Sequence, residues 1–361
     1  DEPLCIETVE ASFQSIAKQF FFVESLGSGK YKFAHDIIRT ATLHILAQSG
    51  HESEFRHAIG CHLRQVIREL KWMPPDGVLL FRTVGLLNAT SDFVGNDIEK
   101  VEAAELNLQA AQLATAKSSF FPAAGFLIKG MSYLDPKNRW EKHLELMLEL
   151  VTTLMTTQHS CGLLEESSKQ AAKVLVHANS FAEKRDAYQI RILWLARCGK
   201  LNEAVSVTRT VLKELGFSMP SALTRRARIP FEWSKTERMA AQVQPDEGFD
   251  CSTFDETGAA LDIGFFLECL IDLAELDRKH YSSVALHARL KAVQLALKSP
   301  RFAMTPLQLQ NWVVLNAKND NFEMAKTFGE LGYKMAKQCG DACFDARAVI
   351  RYHEIQRKSN C

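Results

Sequence analysis

The chain has little proline and little glycine, the residues that most often break helices and form tight turns. Its 361 residues include 10 Pro and 18 Gly, and both shares lie below the usual values of about 5% and 7%. An all-β sandwich needs many turns between short strands. The scarcity therefore disfavours that class and favours long helices.

The cysteines do not form a disulfide framework. There are nine of them, an odd number, and they are scattered through segments with helical patterns. Secreted disulfide scaffolds instead show an even number of cysteines at regular spacing. This pattern predicts a reduced, cytoplasmic protein. The chain opens on Asp1 and without a signal peptide, which we interpret as a piece of a longer protein.

The chain also lacks an excess of either charge and any long apolar run. Lys+Arg and Asp+Glu are both 43, and 47% of the residues are apolar, enough to fill a core. The longest apolar stretch, 259–274, carries three acidic residues, so it cannot span a bilayer. Since phosphate backbones attract an excess of Lys and Arg, we expect protein partners and not nucleic acid.

The first 72 residues predict a small winged-helix-like unit. A helix over 6–18 is followed by two strand-forming runs, 20–24 and 31–35, around the turn Gly27–Lys30, which is typical of a β-hairpin. Helices are then expected from Asp36 to about Gly50 and over 52–70. Asp36 is the predicted N-cap, because its carboxylate can accept from free backbone amides.

From residue 99 onward the apolar residues recur every three or four positions, as on amphipathic helices. The segments 121–124, 202–204 and 322–325 look like second helices of a helix-turn-helix repeat. Residues Ala124, Leu164, Ala204, Ala285 and Ala325 are spaced by 40 residues or about twice that. We therefore predict a mostly α protein with an α-solenoid of tetratricopeptide-like helix pairs. The alternative is an irregular helical domain in which this spacing arises by chance.

The predicted domains follow from these patterns. Residues 1–72 form the winged-helix-like unit and 73–98 a helical connector. Repeats occupy 99–216 and 254–361, separated by a linker over 217–253 that carries three prolines and loses periodicity. Its basic half contains Arg225, Arg226 and Arg228. These could contact a phosphate or an acidic partner, or could simply be solvated.

No catalytic motif is evident. Gly27–Lys30 resembles the end of a phosphate-binding loop, but Glu24 and Tyr31 stand where that loop needs Gly and Ser or Thr. Two pairs lie four residues apart on helices and could share a metal, although no further ligands are apparent. They are His57 with Cys61 and Cys339 with Cys343. We expect neither an enzyme nor a metal site.

The segment from Tyr31 to Ala41 resembles a motif of a known family. Its order, Phe-x-His-Asp-x-x-Arg-x-Ala, is similar to that found just after the ATPase module of STAND-type (AAA-related) signalling ATPases. Segments 57–63, 104–111, 186–191 and 212–220 also resemble that family, in the same order. Thr42 and Leu43 depart from it, since the family usually has Ala-Tyr there.

The resemblance implies a regulatory, non-catalytic arm of such an ATPase. An ATPase module would precede this chain in the same polypeptide, a kinase or cyclase module could follow it, and protein partners would bind the repeats. ADP or ATP would be bound only through the upstream module, and the chain itself would hold no cofactor. The alternative is a free-standing helical-repeat adaptor without a nucleotide link.

The resemblance also implies two nucleotide-site residues. In plant resistance and animal inflammasome receptors a Met-His-Asp motif ends the winged helix, and its His contacts the β-phosphate of ADP. Ala34, His35 and Asp36 are similar to that motif. His35 would donate to the phosphate, and Asp36 would cap the helix or pair with Arg39. The alternative is a purely structural hydrogen bond at the end of the hairpin.

Overall fold

The computed structural model describes residue 15 and residues 22–27, 30–69, 76–243, 258–298 and 305–339. Within these ranges the protein is mostly α-helical, with one antiparallel hairpin near the N-terminus, as the sequence predicts. Contacts divide the chain into two compact units, residues 1–157 and 158–361. None of the described helices combines the length and apolar character needed to cross a membrane.

The hairpin is formed by strands β1 (Val23–Gly27) and β2 (Lys30–Phe33). Val23 pairs with Phe33 and Gly27 with Lys30. The turn residues 28 and 29, and the helix predicted over 6–18 apart from Ser15, lie outside the described ranges. The first helix after the hairpin buries none of its residues, so the winged-helix core stays a prediction.

The first unit continues with helices, and the two that follow the hairpin end within two residues of their predicted bounds. They are α1 (Asp36–Gln48), α2 (Glu52–Glu69), α3 (Val78–Ala89), a 3₁₀ turn (Ser91–Phe93), α4 (Asp97–Ala116), α5 (Phe120–Tyr133), α6 (Arg139–Lys142) and α7 (Leu144–Ser160). Helices α2 and α3 pack together, as do α4 and α5.

The second unit contains the remaining helices. They are α8 (Leu164–His177), α9 (Phe181–Arg197), α10 (Leu201–Glu214), α11 (Ala222–Ala240), α12 (Ala259–Leu276), α13 (Arg278–Lys298), α14 (Thr305–Lys318) and α15 (Phe322–Cys339). Consecutive helices form packed pairs, α8 with α9, α12 with α13 and α14 with α15. This is the helix-pair arrangement that the sequence predicts.

One turn type recurs where helices end. The turn residue near the end of the helix has positive φ, and the next backbone N–H donates to the carbonyl five residues earlier, which satisfies a free helix-end carbonyl. The chain then starts its next helix two residues after the turn residue in four of the five cases. The turn residues are Ser118, Gly162, Gly199, Gly216 and Asp320.

The turns also fix where two helices of a pair approach most closely. In the four cases where the next helix follows directly, its fourth residue is small and fully buried, so its neighbour can come near. These residues are Ala123, Ser167, Ala204 and Ala325. The 40-residue spacing predicts the last two correctly, whereas Ala124, Leu164 and Ala285 are not equivalent positions, because the connections between repeats differ in length.

Trp140 does not lie on the helix that its spacing in the sequence suggests. The positions of Trp140, Met147 and Val151 are typical of one apolar helix stripe, but Trp140 lies on the separate short helix α6 and is only half-buried. Trp312 is instead the largest fully buried side chain. Truncation of Trp140 is therefore expected to cost less than the roughly 3–5 kcal/mol typical of a core Trp.

The segment predicted as a linker contains a helix. Helix α11 runs through Pro230 and packs on α13, and its Ser221 N-cap accepts from the Thr224 amide. The prolines and the basic run conceal a helical pattern, since Glu232, Thr236 and Ala240 recur every four residues and form one buried, mainly polar face. The prediction of a linker is wrong here because it takes every proline as a break.

Candidate functional site

His35 caps helix α1, a role that the sequence assigned to Asp36. The His35 Nδ1 atom accepts from the Ile37 backbone N–H at 3.3 Å, and the backbone of His35 is extended, as at an N-cap. Asp36 is the first residue of the helix, and its carboxylate lies 3.8 Å from the Arg39 Nε atom. The structure thus brings His35, Asp36 and Arg39 together on an exposed helix end.

The cap determines which nitrogen of neutral His35 can donate. Because Nδ1 accepts a hydrogen bond, the single ring proton of the neutral imidazole is on Nε2. A second proton on Nδ1 would remove the acceptor of the cap. The exposed ring therefore offers one N–H donor beside a helix N-terminus, where negative charge is favoured.

His57 and Cys61 have protein partners. The Cys61 Sγ atom lies 3.4 Å from His57 Nε2, and His57 Nδ1 lies 3.2 Å from the Thr90 hydroxyl. The imidazole also stacks on Phe93, and burial lowers the pKa of His57. Among the described residues no three His, Cys, Asp or Glu side chains gather as metal ligands would. Cys343 and the side chain of Cys339 lie outside them.

The second unit carries a groove that sequence reasoning did not find. We call it the Trp233 groove, a cavity of about 370 Å³ between helices α11, α12, α13 and α14. Its apolar floor is made by Trp233, Ala285, Leu286 and Leu315. The Trp233 ring packs 5.3 Å from that of Trp312, and its indole N–H donates to Glu237 at 2.7 Å.

The rim of the Trp233 groove is cationic. Arg278, Arg289 and Lys318 line it, opposed by the single carboxylate of Glu275. Arg289 is 5% exposed and donates to Glu275 at 2.9 Å and to Asn311 at 2.7 Å. Lys318 forms no ion pair within the described part of the chain, so the rim keeps net positive charge.

Glu275 holds the two arginines of the rim. Burial alone would raise the pKa of its carboxyl group, but the hydrogen bonds and charges of Arg289 and Arg278 outweigh burial and hold that pKa below its ordinary value. Glu275 is thus ionised at neutral pH. It fixes Arg289 in the wall and leaves Lys318 to meet an anionic group from solvent.

The residues of the Trp233 groove come from helices far apart in the sequence. The spacing of Leu286, Leu290 and Val293 indicates a buried helix face but no groove. Trp233 fell in the segment interpreted as a linker. No pattern along the chain brings it next to Lys318.

Comparison with known proteins assigns no family to the chain. No family model matches it, and no curated protein matches it. Among solved structures, the crystal structure of the apo form of RapI is similar, with a TM-score of 0.36 and 12% sequence identity. The match covers 86% of this chain and 99% of that one. The chain's own sites are therefore the basis of its proposed function.

Proposed function

We propose that this chain is a non-catalytic, cytoplasmic helical-repeat scaffold that binds protein partners, and that its second unit does so at the Trp233 groove. The observation that carries the proposal is an apolar floor enclosed by a cationic rim. A partner helix with apolar residues on one face and acidic residues beside them complements both features, since buried apolar area supplies affinity and opposite charge orients the helix.

A synthetic amphipathic helix with a Leu/Phe face and flanking Glu residues provides the probe. Its affinity for the wild-type chain is measured by calorimetry and compared with that of the same peptide carrying Lys for Glu. Replacing Arg278 and Lys318 by Glu should weaken binding of the acidic peptide by about tenfold or more and should strengthen binding of the Lys peptide. The matched control reverses the exposed Arg197 and Lys334, and should change neither affinity.

Two results would contradict the proposal. One is that the wild-type chain binds the acidic and basic peptides equally, and the other is that the two double variants have equal affinity for the acidic peptide. Both substituted rim residues are on the surface, and Arg289 and Glu275 are left in place. Lost binding through misfolding is recognised by the circular dichroism and melting temperature of each variant.

We further propose that the scaffold is the regulatory arm of a STAND-type ATPase. The resemblance over residues 31–41 supports the link, and so does His35, whose Nε2–H can donate to a phosphate oxygen. Partner binding on the repeats would then be coupled to the nucleotide held by the upstream module. A coding sequence without a phosphate-binding loop upstream would contradict this link and favour the free-standing adaptor.

The full-length gene product tests the role of His35 directly. Its ADP content after purification is compared between wild type, His35→Ala and His44→Ala, which alters another exposed imidazole on the same helix. We expect His35→Ala to lose ADP and His44→Ala to retain it. Equal retention in all three proteins would remove His35 from the nucleotide site.

A further inference from the structure

Arg225 is a buried cation, and none of the carboxylates in the described part of the chain forms an ion pair with it. Its side chain is 6% exposed, and it donates to two neutral oxygens, the Pro220 carbonyl at 3.1 Å and the Ser283 hydroxyl at 3.3 Å. Burial first, and then the charges of Arg209 and Arg226, lower the pKa of its guanidinium. Both neighbouring charges are positive, so they add to the cost of burying a charged group.

A second cavity, of about 320 Å³, lies between helix α10 and the loop that follows it. Met219 lines this cavity, and the next residue, Pro220, accepts from Arg225. The polar side chains of the cavity are cations, hydroxyls and one amide, and no carboxylate is among its described lining residues. The cations and hydroxyls belong to Ser206, Arg209, Thr210, Lys213, Ser218 and Tyr281.

The cations around this cavity are not neutralised. Arg209 and Lys213 line it and are exposed, and neither forms an ion pair with another described residue. Arg225 is close enough to Arg209 for their charges to interact, so three positive charges lie at or beside this cavity in a chain whose net charge is zero. Such a field attracts an anion, and the attraction becomes stronger with each negative charge that the anion carries.

The donor set distinguishes between kinds of anion. A guanidinium presents a planar fork of N–H groups that matches two oxygens of a phosphate, and an ammonium and hydroxyls can donate to its remaining oxygens. A phosphate monoester carries more charge than a carboxylate at neutral pH. It is also small relative to the cavity, which leaves space for the group that bears it.

We propose that the cavity between Ser206 and Tyr281 binds a phosphate monoester carried on a serine or threonine of a protein partner. That the phosphate is borne by a protein, and not by a small molecule, rests on the proposed scaffold function. Arg209 and Lys213 contact the phosphate, the hydroxyls of Ser206 and Ser218 donate to it, and Arg225 adds its charge from behind the loop. The Thr210 hydroxyl is not one of these donors, because it donates to the Ser206 carbonyl.

The test uses a fluorescent phosphoserine peptide, the same peptide without phosphate, and inorganic phosphate as a competitor. Fluorescence anisotropy gives the affinities for the wild-type chain and for the double variant Arg209→Gln/Lys213→Gln. We expect the phosphopeptide to bind the wild type and the variant to bind it about tenfold or more weakly. The control Arg197→Gln/Lys334→Gln should match the wild type, and raised salt should weaken binding.

Equal affinity for the phosphorylated and unmodified peptides would overturn the proposal, as would unchanged binding by Arg209→Gln/Lys213→Gln. Binding of inorganic phosphate without binding of the peptide would refute the protein carrier. The amphipathic peptide of the Trp233 groove is measured on the same samples. If it binds while the phosphopeptide does not, only this inference fails, and if neither binds, the scaffold proposal fails as well.

Discussion

The small residues at the start of each second helix show how far single positions can be predicted. Ala204 and Ala325 were found from sequence, because small residues inside an apolar stripe indicate close helix approach. Ala123 and Ser167 were missed, because a fixed 40-residue count assumes connections of one length. The turn residues vary in spacing, with Ser118, Gly162 and Gly199 separated by 44 and 37 positions.

Ala204→Leu tests the close approach. The side chain of Ala204 is fully buried in the core of the second unit, so the added bulk should lower the free energy of unfolding by about 1–3 kcal/mol. Ala182→Leu, at an exposed position of helix α9, should change it by less than about 0.5 kcal/mol. Urea unfolding of both variants makes the comparison, and equal stability would mean that the helices are not in close contact at Ala204.

His287 makes the second unit sensitive to acid. Its side chain is 2% exposed, and its Nδ1 atom has no hydrogen-bond partner among the residues that the structure describes. Burial, followed by the charge of Lys291, lowers its pKa from 6.5 to about 4, with Arg225 and Arg228 acting in the same direction and Glu232 opposing them. At pH values between these two pKa values, His287 binds a proton in the unfolded chain but not in the folded chain. Stability is therefore complete above pH 6.5 and falls as the pH is lowered towards 4.

We expect the free energy of unfolding to fall by roughly 2 kcal/mol between pH 7.5 and pH 5 from this group alone. His287→Gln should remove most of that slope, whatever it does to stability at pH 7.5. His280→Gln, on the same helix but exposed, should keep the slope. Denaturant midpoints at the two pH values measure it, and an unchanged slope in His287→Gln would show that the ring is not buried in neutral form.

At the scale of elements, the hairpin and most helices were predictable and helix α11 was not. Gly27–Lys30 between strand formers indicates a hairpin, and regular apolar stripes indicate helices. Helix α11 buries mainly polar groups. Glu232 lies 2.6 Å from the Lys291 Nζ atom, and the Gln294 amide donates to Glu232 and to Thr236, both at 3.0 Å. Hydrophobic periodicity cannot report such a face.

Pro230→Ala tests whether α11 is a continuous helix. Pro230 is exposed inside it and cannot donate to the carbonyl one turn earlier. Replacement by Ala should therefore raise the free energy of unfolding by up to about 3 kcal/mol. The control Pro220→Ala lies before the helix and should have little effect. A loss of stability, or no change, would mean that the chain around Pro230 is not helical.

At the scale of the whole molecule, the sequence predicted a mostly helical protein built of packed helix pairs, and the structure confirms it. The division into units at residue 157 differs from the predicted separation at 217–253. The Trp233 groove could not be predicted, because it depends on how α11, α13 and α14 meet. The basic run at Arg225 is visible in the sequence, but only the fold shows that one of its members is buried.

Hydrogen exchange of the chain with and without the acidic amphipathic peptide shows directly whether a partner helix binds in the Trp233 groove. We expect slower exchange in residues 278–289 and 315–319, which border the groove, and little change in the first unit. The Lys-substituted peptide should leave these segments unchanged. Protection confined to other helices, or no protection at a saturating concentration of the acidic peptide, would contradict a partner site in this groove.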